Sequence, residues 1–193
     1  MVVNIKGIYK SFNGQSVLEN VDFMLAADQV YCLMGPSGMG KTTLLRIILG
    51  LENKDSGTIT GIKRGEIATM FQENRLCEEL TPIDNVMLVM PNNVSRQTVR
   101  QNLEQILPPH CLHQPVSELS GGMKRRVALA RTMNYPSKII IMDEPFTGLD
   151  VKTKQTVIDY IHSMRNGRTA LITTHSEEDV SLLGATKINL EDL

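Results

Sequence analysis

The chain has 193 residues, 41% hydrophobic and 4% aromatic with no tryptophan, enough for one domain that buries roughly 70% of its unfolded surface. Lys and Arg number 20 against 21 acids, and a formal charge of −1 gives no electrostatic ground for nucleic acid as the main ligand. Cys32, Cys77 and Cys111 form an odd, scattered set without a CxxC pair, which suits a reducing compartment.

The opening "MVVNIKGIYK" lacks the regions of a signal peptide and alternates Val3, Ile5 and Gly7 with Asn4 and Lys6. "VDFML" and "VYCLM" follow, separated by "AADQ", and these strand-like runs suggest an antiparallel edge. "VYCLM" leads into "GPSGMGKTT", and "TTLLRIILG" then has helical spacing with Gly50 as its stop. "EIATMFQ" is another short apolar run. From Glu73 to about Arg126 the character changes, and segments such as "PIDNVMLVM" and "VSRQTVRQNLEQIL" read as a helical insertion. Thereafter "KIIIMDEP", "VIDYIHSM", "RTALITTH", "EEDVSLLG" and "TKINL" alternate strand and helix, the rhythm of a parallel sheet covered on both faces. The 11 methionines, several in "VMLVM", read as core filling. No apolar run approaches the ~20 residues that span a bilayer.

Gly35 to Thr42 satisfies G-x-x-x-x-G-K-[ST], between a strand and a helix as that motif requires. The glycines let the loop of Gly35, Pro36, Ser37, Gly38, Met39 and Gly40 wrap a phosphate with its backbone N–H groups, and the helix from Lys41 adds its positive end. Lys41 reaches the outer phosphates, Thr42 offers a hydroxyl to Mg²⁺, and Thr43 completes the helix start. Ser37, Gly38 and Met39 are expected in the same cradle. In "IIIMDEP", Asp143 ends a buried strand at the edge where open parallel sheets bind ligands and suits the Mg²⁺ shell. Strand alternation sends Glu144 to the opposite face, where it can orient and deprotonate an attacking water.

Other segments carry less. "HCLH", His110 to His113, has two metal-binding residue types but no four closing ligands, and reads as a polar loop. "KRR", Lys124 to Arg126, reads as a solvated helix face.

With "LSGGM", "FQ" at Phe71 and Gln72, "TGLD" at Thr147 to Asp150, and His175 after "LITT", the chain resembles the nucleotide-binding subunit of an ATP-binding cassette (ABC) transporter over nearly its whole length. The resemblance implies an α/β fold: a P-loop NTPase core with a mostly parallel sheet, an N-terminal antiparallel β edge and an inserted helical subdomain. It implies a single ABC domain over 1–193, with the core in 1–72 and 127–193 and the helical signature subdomain in 73–126. It implies ATP and Mg²⁺ as ligands, and two subunits packed head to tail, identical or related. Each ATP would then lie between one subunit's phosphate loop and the other's Ser120, Gly121 and Gly122. Phe12 matches the aromatic that stacks on adenine, with Tyr9 as fallback. Gln72 matches the residue that reaches Mg²⁺ and water, His175 the switch histidine at the γ-phosphate, and Asp150 the acid linking the two sites across the dimer. Met123 departs from the family's commoner Gln. No C-terminal regulatory domain is expected after Leu193.

Such a subunit is expected to be cytoplasmic, peripheral on the inner face of the membrane, and to drive separate permease subunits through a contact near Glu73 to Val86. That segment resembles importers of small oxyanions such as nitrate or sulfonates. A cassette ATPase serving ribosomes, DNA repair or cluster assembly remains the alternative.

Overall fold

The computed structural model describes residues 2–63 and 65–193; Met1 and Arg64 lie outside the described residues. In chain order the elements are β1 (Val3–Phe12), β2 (Gln15–Leu25), β3 (Val30–Met34), α1 (Lys41–Ile48), β4 (Ser56–Thr60), β5 (Ile67–Met70), α2 (Pro82–Met87), α3 (Arg96–Glu104), α4 (Gly121–Asn134), β6 (Ile139–Asp143), α5 (Val151–Arg165), β7 (Thr169–Thr173), α6 (Glu177–Leu183) and β8 (Thr186–Asn189). The chain divides into two compact units, one of Met1–Ile67, Ser137–Asp143 and Gly167–Leu193, the other of Ala68–Pro136 and Glu144–Asn166. The expected helical stretch 73–126 lies inside the second unit, which also takes in the rest of α4 and all of α5.

In the first unit β1, β2 and β4 form an antiparallel sheet in the order β2-β1-β4. Asn13 and Gly14, with φ of 51° and 81°, close the β1–β2 hairpin, the left-handed pair that a tight two-residue turn requires. The alternation read at the N-terminus stops short of Gly7. Val3 and Ile5 face inward, the register shifts between Ile5 and Ile8, and Ile8 and Lys10 are the next buried residues. One irregularity reverses which parity points to the core. It buries Lys10, whose ammonium is recovered by Glu52 at 2.8 Å and by the Asn53 carbonyl at 2.8 Å.

"VYCLM" proves not to continue the antiparallel edge. As β3 it lies inside a parallel sheet, between β7 and β8, and every residue of β3, β6 and β7 is buried. That explains their unbroken apolar character. The Glu66 carbonyl accepts from the N–H groups of Lys138 and Ile139, which ties Glu66 to the start of β6. Leu33, Leu44, Leu45, Ile139, Ile141 and Leu171 share one core with Ile5 and Ile8 from β1.

The second unit is mainly helical, and its helix starts are capped by side chains. Thr81, Ser95, Ser120 and Asp150 each accept a backbone N–H three residues on. Fully buried Asn85 accepts from the Cys77 N–H at 2.8 Å and donates to the carbonyls of Cys77, Leu80 and Thr81, closing the loop before α2. Residues Pro109–His113, the "HCLH" region, form a 3-10 turn with Cys111 and Leu112 buried. Among the described residues no group of three or more His, Cys, Asp or Glu could hold a metal.

Candidate active site

Parallel register builds the site of the first unit. Leu33 on β3 pairs with Thr173 on β7, and Thr173 pairs with Asp143 on β6. The carboxyl ends of three strands are therefore level, and the chain leaves β3 there into Gly35–Gly40 and then α1. Ligands collect at this edge of an open α/β sheet because loops and helix N-termini converge on it.

The loop has its shape for steric reasons. Gly40 has φ of 100°, and a Cβ there would lie 2.9 Å from Val17 Cγ1 and 3.0 Å from the Val17 carbonyl oxygen. Backbone handedness and the wall of β2 both demand glycine. Lys41, 6% exposed, donates to the carbonyls of Gly35 at 2.6 Å and Pro36 at 2.9 Å, so its ammonium is fixed across the loop. Pro36, Ser37 and Gly38 are exposed along the outside, while Met39 is half-buried.

Thr42 and Asp143, far apart in sequence, meet: the Thr42 hydroxyl donates to Asp143 Oδ2 at 2.9 Å. Two oxygens on adjacent vertices of a Mg²⁺ octahedron, with bonds near 2.0–2.1 Å, are about 2.9 Å apart. A hydroxyl and a carboxylate oxygen at that spacing fit a hard divalent cation. The other carboxylate oxygen, Oδ1, accepts from Thr173 Oγ1 at 2.6 Å, a buried hydrogen bond that fixes the plane of the carboxylate. Thr173 was missed by sequence reasoning; its only signal was a hydroxyl at the end of the apolar run "LIT". Beyond it Thr174 donates to buried Asp179 at 2.5 Å, accepts from the Ser176 N–H, and so shapes the turn that leaves His175 exposed at the same strand end.

Phe12 and Tyr9 are each 42% exposed. Lys10 Nζ lies 4.6 Å from the Phe12 ring centroid, which favours Phe12 as the ordered platform. Lys10 is itself held by Glu52 and Asp55, and Ser11 donates to Asp55 from both its N–H and its hydroxyl. These hydrogen bonds, Ser11's foremost, hold the Asp55 carboxyl below its ordinary 3.8.

The second unit carries Gln72, Ser120–Gly122, Glu144 and Asp150. Ser120 caps α4 by accepting from Met123 N–H at 3.3 Å. Gly121 is exposed, and a Cβ there would meet nothing within 4 Å; at Gly122 it would touch only Leu149, at 4.0 Å. Met123, where the resembled family more often has Gln, packs its sulfur 3.9 Å from buried Cys111. Asp150 caps α5, accepting the N–H and hydroxyl of Thr153 at 3.0 and 2.7 Å. These two bonds, the hydroxyl's first, hold its carboxyl below the usual 3.8.

Two expectations change here. β6 ends at Asp143, and Glu144 has φ of 48°, so strand alternation does not aim it. Its direction comes from a left-handed turn that also carries Thr147, whose hydroxyl lies 3.4 Å from Glu144 Oε2. Nor is "KRR" a solvated face. Arg125 is 6% exposed, and Arg126 donates to the Ile106 carbonyl at 2.7 Å, because both long stems turn their guanidiniums onto backbone oxygens.

A family model described as "ABC transporter" matches residues 18–147. The chain belongs to the ABC transporter family. It is 36% identical to an aliphatic sulfonates import ATP-binding protein of Agrobacterium fabrum, over 98% of this chain and 76% of that one. It is 31% identical to a sulfate/thiosulfate import ATP-binding protein of Neisseria meningitidis, over 93% of this chain and 56% of that longer one. The fold matches the dimeric structure of a bacterial ABC transporter cassette with a TM-score of 0.85, at 24% identity, covering 97% of this chain and 94% of the other. This ABC subunit is thus an ATPase working in transport, and the ribosome, repair and cluster-assembly roles lose their support. Among its described residues no helix is long and apolar enough to cross a membrane.

Proposed function

We propose that two copies of this subunit close head to tail on ATP and drive the import of a small oxyanion or sulfonate through separate permease subunits. The observation that carries the dimer is Gly121. Neither backbone handedness nor internal packing requires glycine at this helix start. Its bareness serves something outside the chain, and backbone N–H groups at a helix start suit a phosphate brought by a second copy.

In this reading the loop from Gly35 to Thr43 and the Lys41 ammonium hold the outer phosphates of ATP, with Phe12 against the adenine. Thr42, Asp143 and Gln72 would hold Mg²⁺, which supplies neutralisation of the charge that develops on the phosphate oxygens. Glu144 orients water and takes its proton as the water oxygen bonds to the γ-phosphorus and the bridging bond to the β-phosphate breaks. His175 contacts the γ-phosphate, and Asp150 links the two sites across the dimer. Catalysis is mostly placement and charge stabilisation. The segment Glu73 to Val86, within 73–126, meets the permease, which puts the subunit on the inner face of the membrane. The oxyanion class is supported by the import functions that the sulfonate and sulfate/thiosulfate relatives are named for.

The test is a pair of variants. Glu144→Gln should bind ATP, dimerise in light scattering and fail to turn over. Adding Gly121→Glu places a carboxylate in open space at a helix N-terminus, so the melting temperature should hold or rise slightly. The same carboxylate faces the partner's triphosphate, and the ATP-dependent dimer should vanish. An intact dimer in the double variant refutes the head-to-tail reading.

A further inference from the structure

The second unit contains an arrangement that the roles above leave unused. Arg125 lies on α4 five residues after Ser120, about 7.5 Å along the helix axis. Its Nη1 donates to the carbonyls of Phe71 at 2.8 Å and Gln72 at 2.7 Å, with Asn74 Oδ1 at 3.4 Å. Its Nη2 donates to the Glu144 carbonyl at 2.6 Å, and Nε reaches that of Pro145 at 3.4 Å. One buried planar fork therefore grips the main chain at Gln72 and at Glu144 together.

Arg131, on the same helix, extends the grip. It donates to the carbonyls of Arg75 at 2.7 Å and Asn74 at 2.9 Å. Arg75 and Glu144 have φ of 47° and 48°, left-handed conformations that a non-glycine residue rarely adopts. Each has its carbonyl seized by an α4 arginine. Arg75 is further held by stacking its guanidinium 3.7 Å from the Phe71 ring centroid. Strain at these two positions is thus sustained by the helix that Ser120 heads.

We propose that Arg125 is a positioning residue that joins Gln72 and Glu144 to the signature helix, so that engagement of Ser120 by ATP is felt at both side chains as one movement. The proposal rests on the roles given above to Gln72 and Glu144. The Arg125 bonds to these carbonyls act on the main chain. They set the backbone from which the Glu144 carboxylate and the Gln72 amide are aimed.

Arg125→Lys tests this directly. Lysine keeps a buried cation but cannot span both carbonyls with a rigid fork. The expected result is a folded protein whose calorimetric Kd for ATP stays within about twofold while kcat falls about 10- to 100-fold, the size expected for misplacement of catalytic groups. Gln72→Ala added to Arg125→Lys should cost less than the product of the two single losses. A folded Arg125→Lys with kcat within about twofold of the parent overturns the proposal. Glu144→Gln is the parallel control: if it turns over normally, the underlying reading falls and this one with it. An inactive Glu144→Gln beside a fully active Arg125→Lys overturns the clamp alone. Should the lysine variant fail to fold, arginine side-chain ¹⁵N spectra of the unsubstituted protein decide. Restricted rotation and slow exchange at the Arg125 Nη groups are expected, and unrestricted rotation overturns the clamp.

Discussion

Replacing Thr173 by valine removes one hydroxyl and keeps the shape of the side chain. That hydroxyl, fully buried at the end of β7, donates at 2.6 Å to Oδ1 of Asp143, itself 8% exposed. A hydrogen bond to an ionised group contributes about 1.5–3 kcal/mol, and removing the donor leaves a buried carboxylate oxygen with one partner fewer. Valine buries a methyl in place of the hydroxyl but offers nothing to the oxygen, so the loss should fall in that range. For a domain of this length, about 2–4 °C per kcal/mol converts it to roughly 3–12 °C in Tm. Thr173→Ser retains the hydroxyl and should recover most of the difference, losing only a methyl's packing. Scanning calorimetry of the three proteins at pH 7, without nucleotide, separates the cases. A Thr173→Val protein melting within about 1 °C of the parent would show that the Thr173 hydroxyl does not hold Asp143, and that the description of a fixed carboxylate plane is wrong.

Two further expectations concern titration and thiol chemistry. Burial, then the Asp179 charge, pushes the Cys32 thiol up to about 12, and Cys111 is also buried while Cys77 is exposed. At pH 8 a maleimide should modify one thiol rapidly by mass spectrometry and all three only in denaturant; rapid double labelling of the native protein would contradict this packing. The carboxyls of Glu52, Asp55, Glu66, Asp84 and Asp150 are all held below their ordinary 4.5 or 3.8, chiefly by hydrogen bonds from Lys10, Ser11, Lys138, Thr81 and Thr153 respectively. A depressed folded pKa means a contribution complete above the unfolded value and lost as pH falls through the folded one. The urea midpoint should therefore decline once pH drops below about 4.5 and keep declining below 3.8. Asp55→Asn should lessen that decline, and a midpoint unchanged down to pH 3 would refute the assignment.

What could be read from the sequence was what depends on neighbours in sequence. The stretch from Gly35 to Thr43 is legible because handedness, helix start and ammonium all act within one loop. The buried strands β3, β6 and β7 are legible because burial on both faces leaves an apolar run. Thr173 was not, because threonine is an ordinary strand residue and its partner Asp143 is 30 positions away. The reversal of β1 at Gly7 was not, since one extra residue in a ladder inverts every later parity without altering composition. Arg125 escaped for a similar reason. Charge on a helix normally marks the solvated face, and only the arrival of two distant carbonyl-bearing segments, Phe71–Gln72 and Glu144–Pro145, makes an interior guanidinium affordable.

The glycines carry this logic one step further. At Gly40 the need is internal: its φ is 100°, and a Cβ would lie 2.9 Å from Val17 Cγ1 on β2, whether or not nucleotide is bound. Gly121 faces no such wall, and its φ is not left-handed, so neither contact nor handedness demands glycine there. A glycine that neither its own backbone nor its own packing requires fits an approach from outside. Ser120 sharpens the point. Its cap to Met123 uses an oxygen lone pair and leaves the hydroxyl's donor direction to be set by other partners. Capping and anion recognition are therefore compatible in one side chain. Stability measurements on Gly121 variants consequently report on the chain alone, and ATP-dependent association on what it meets; only a dissociation of the two readouts identifies the glycine as an interface residue.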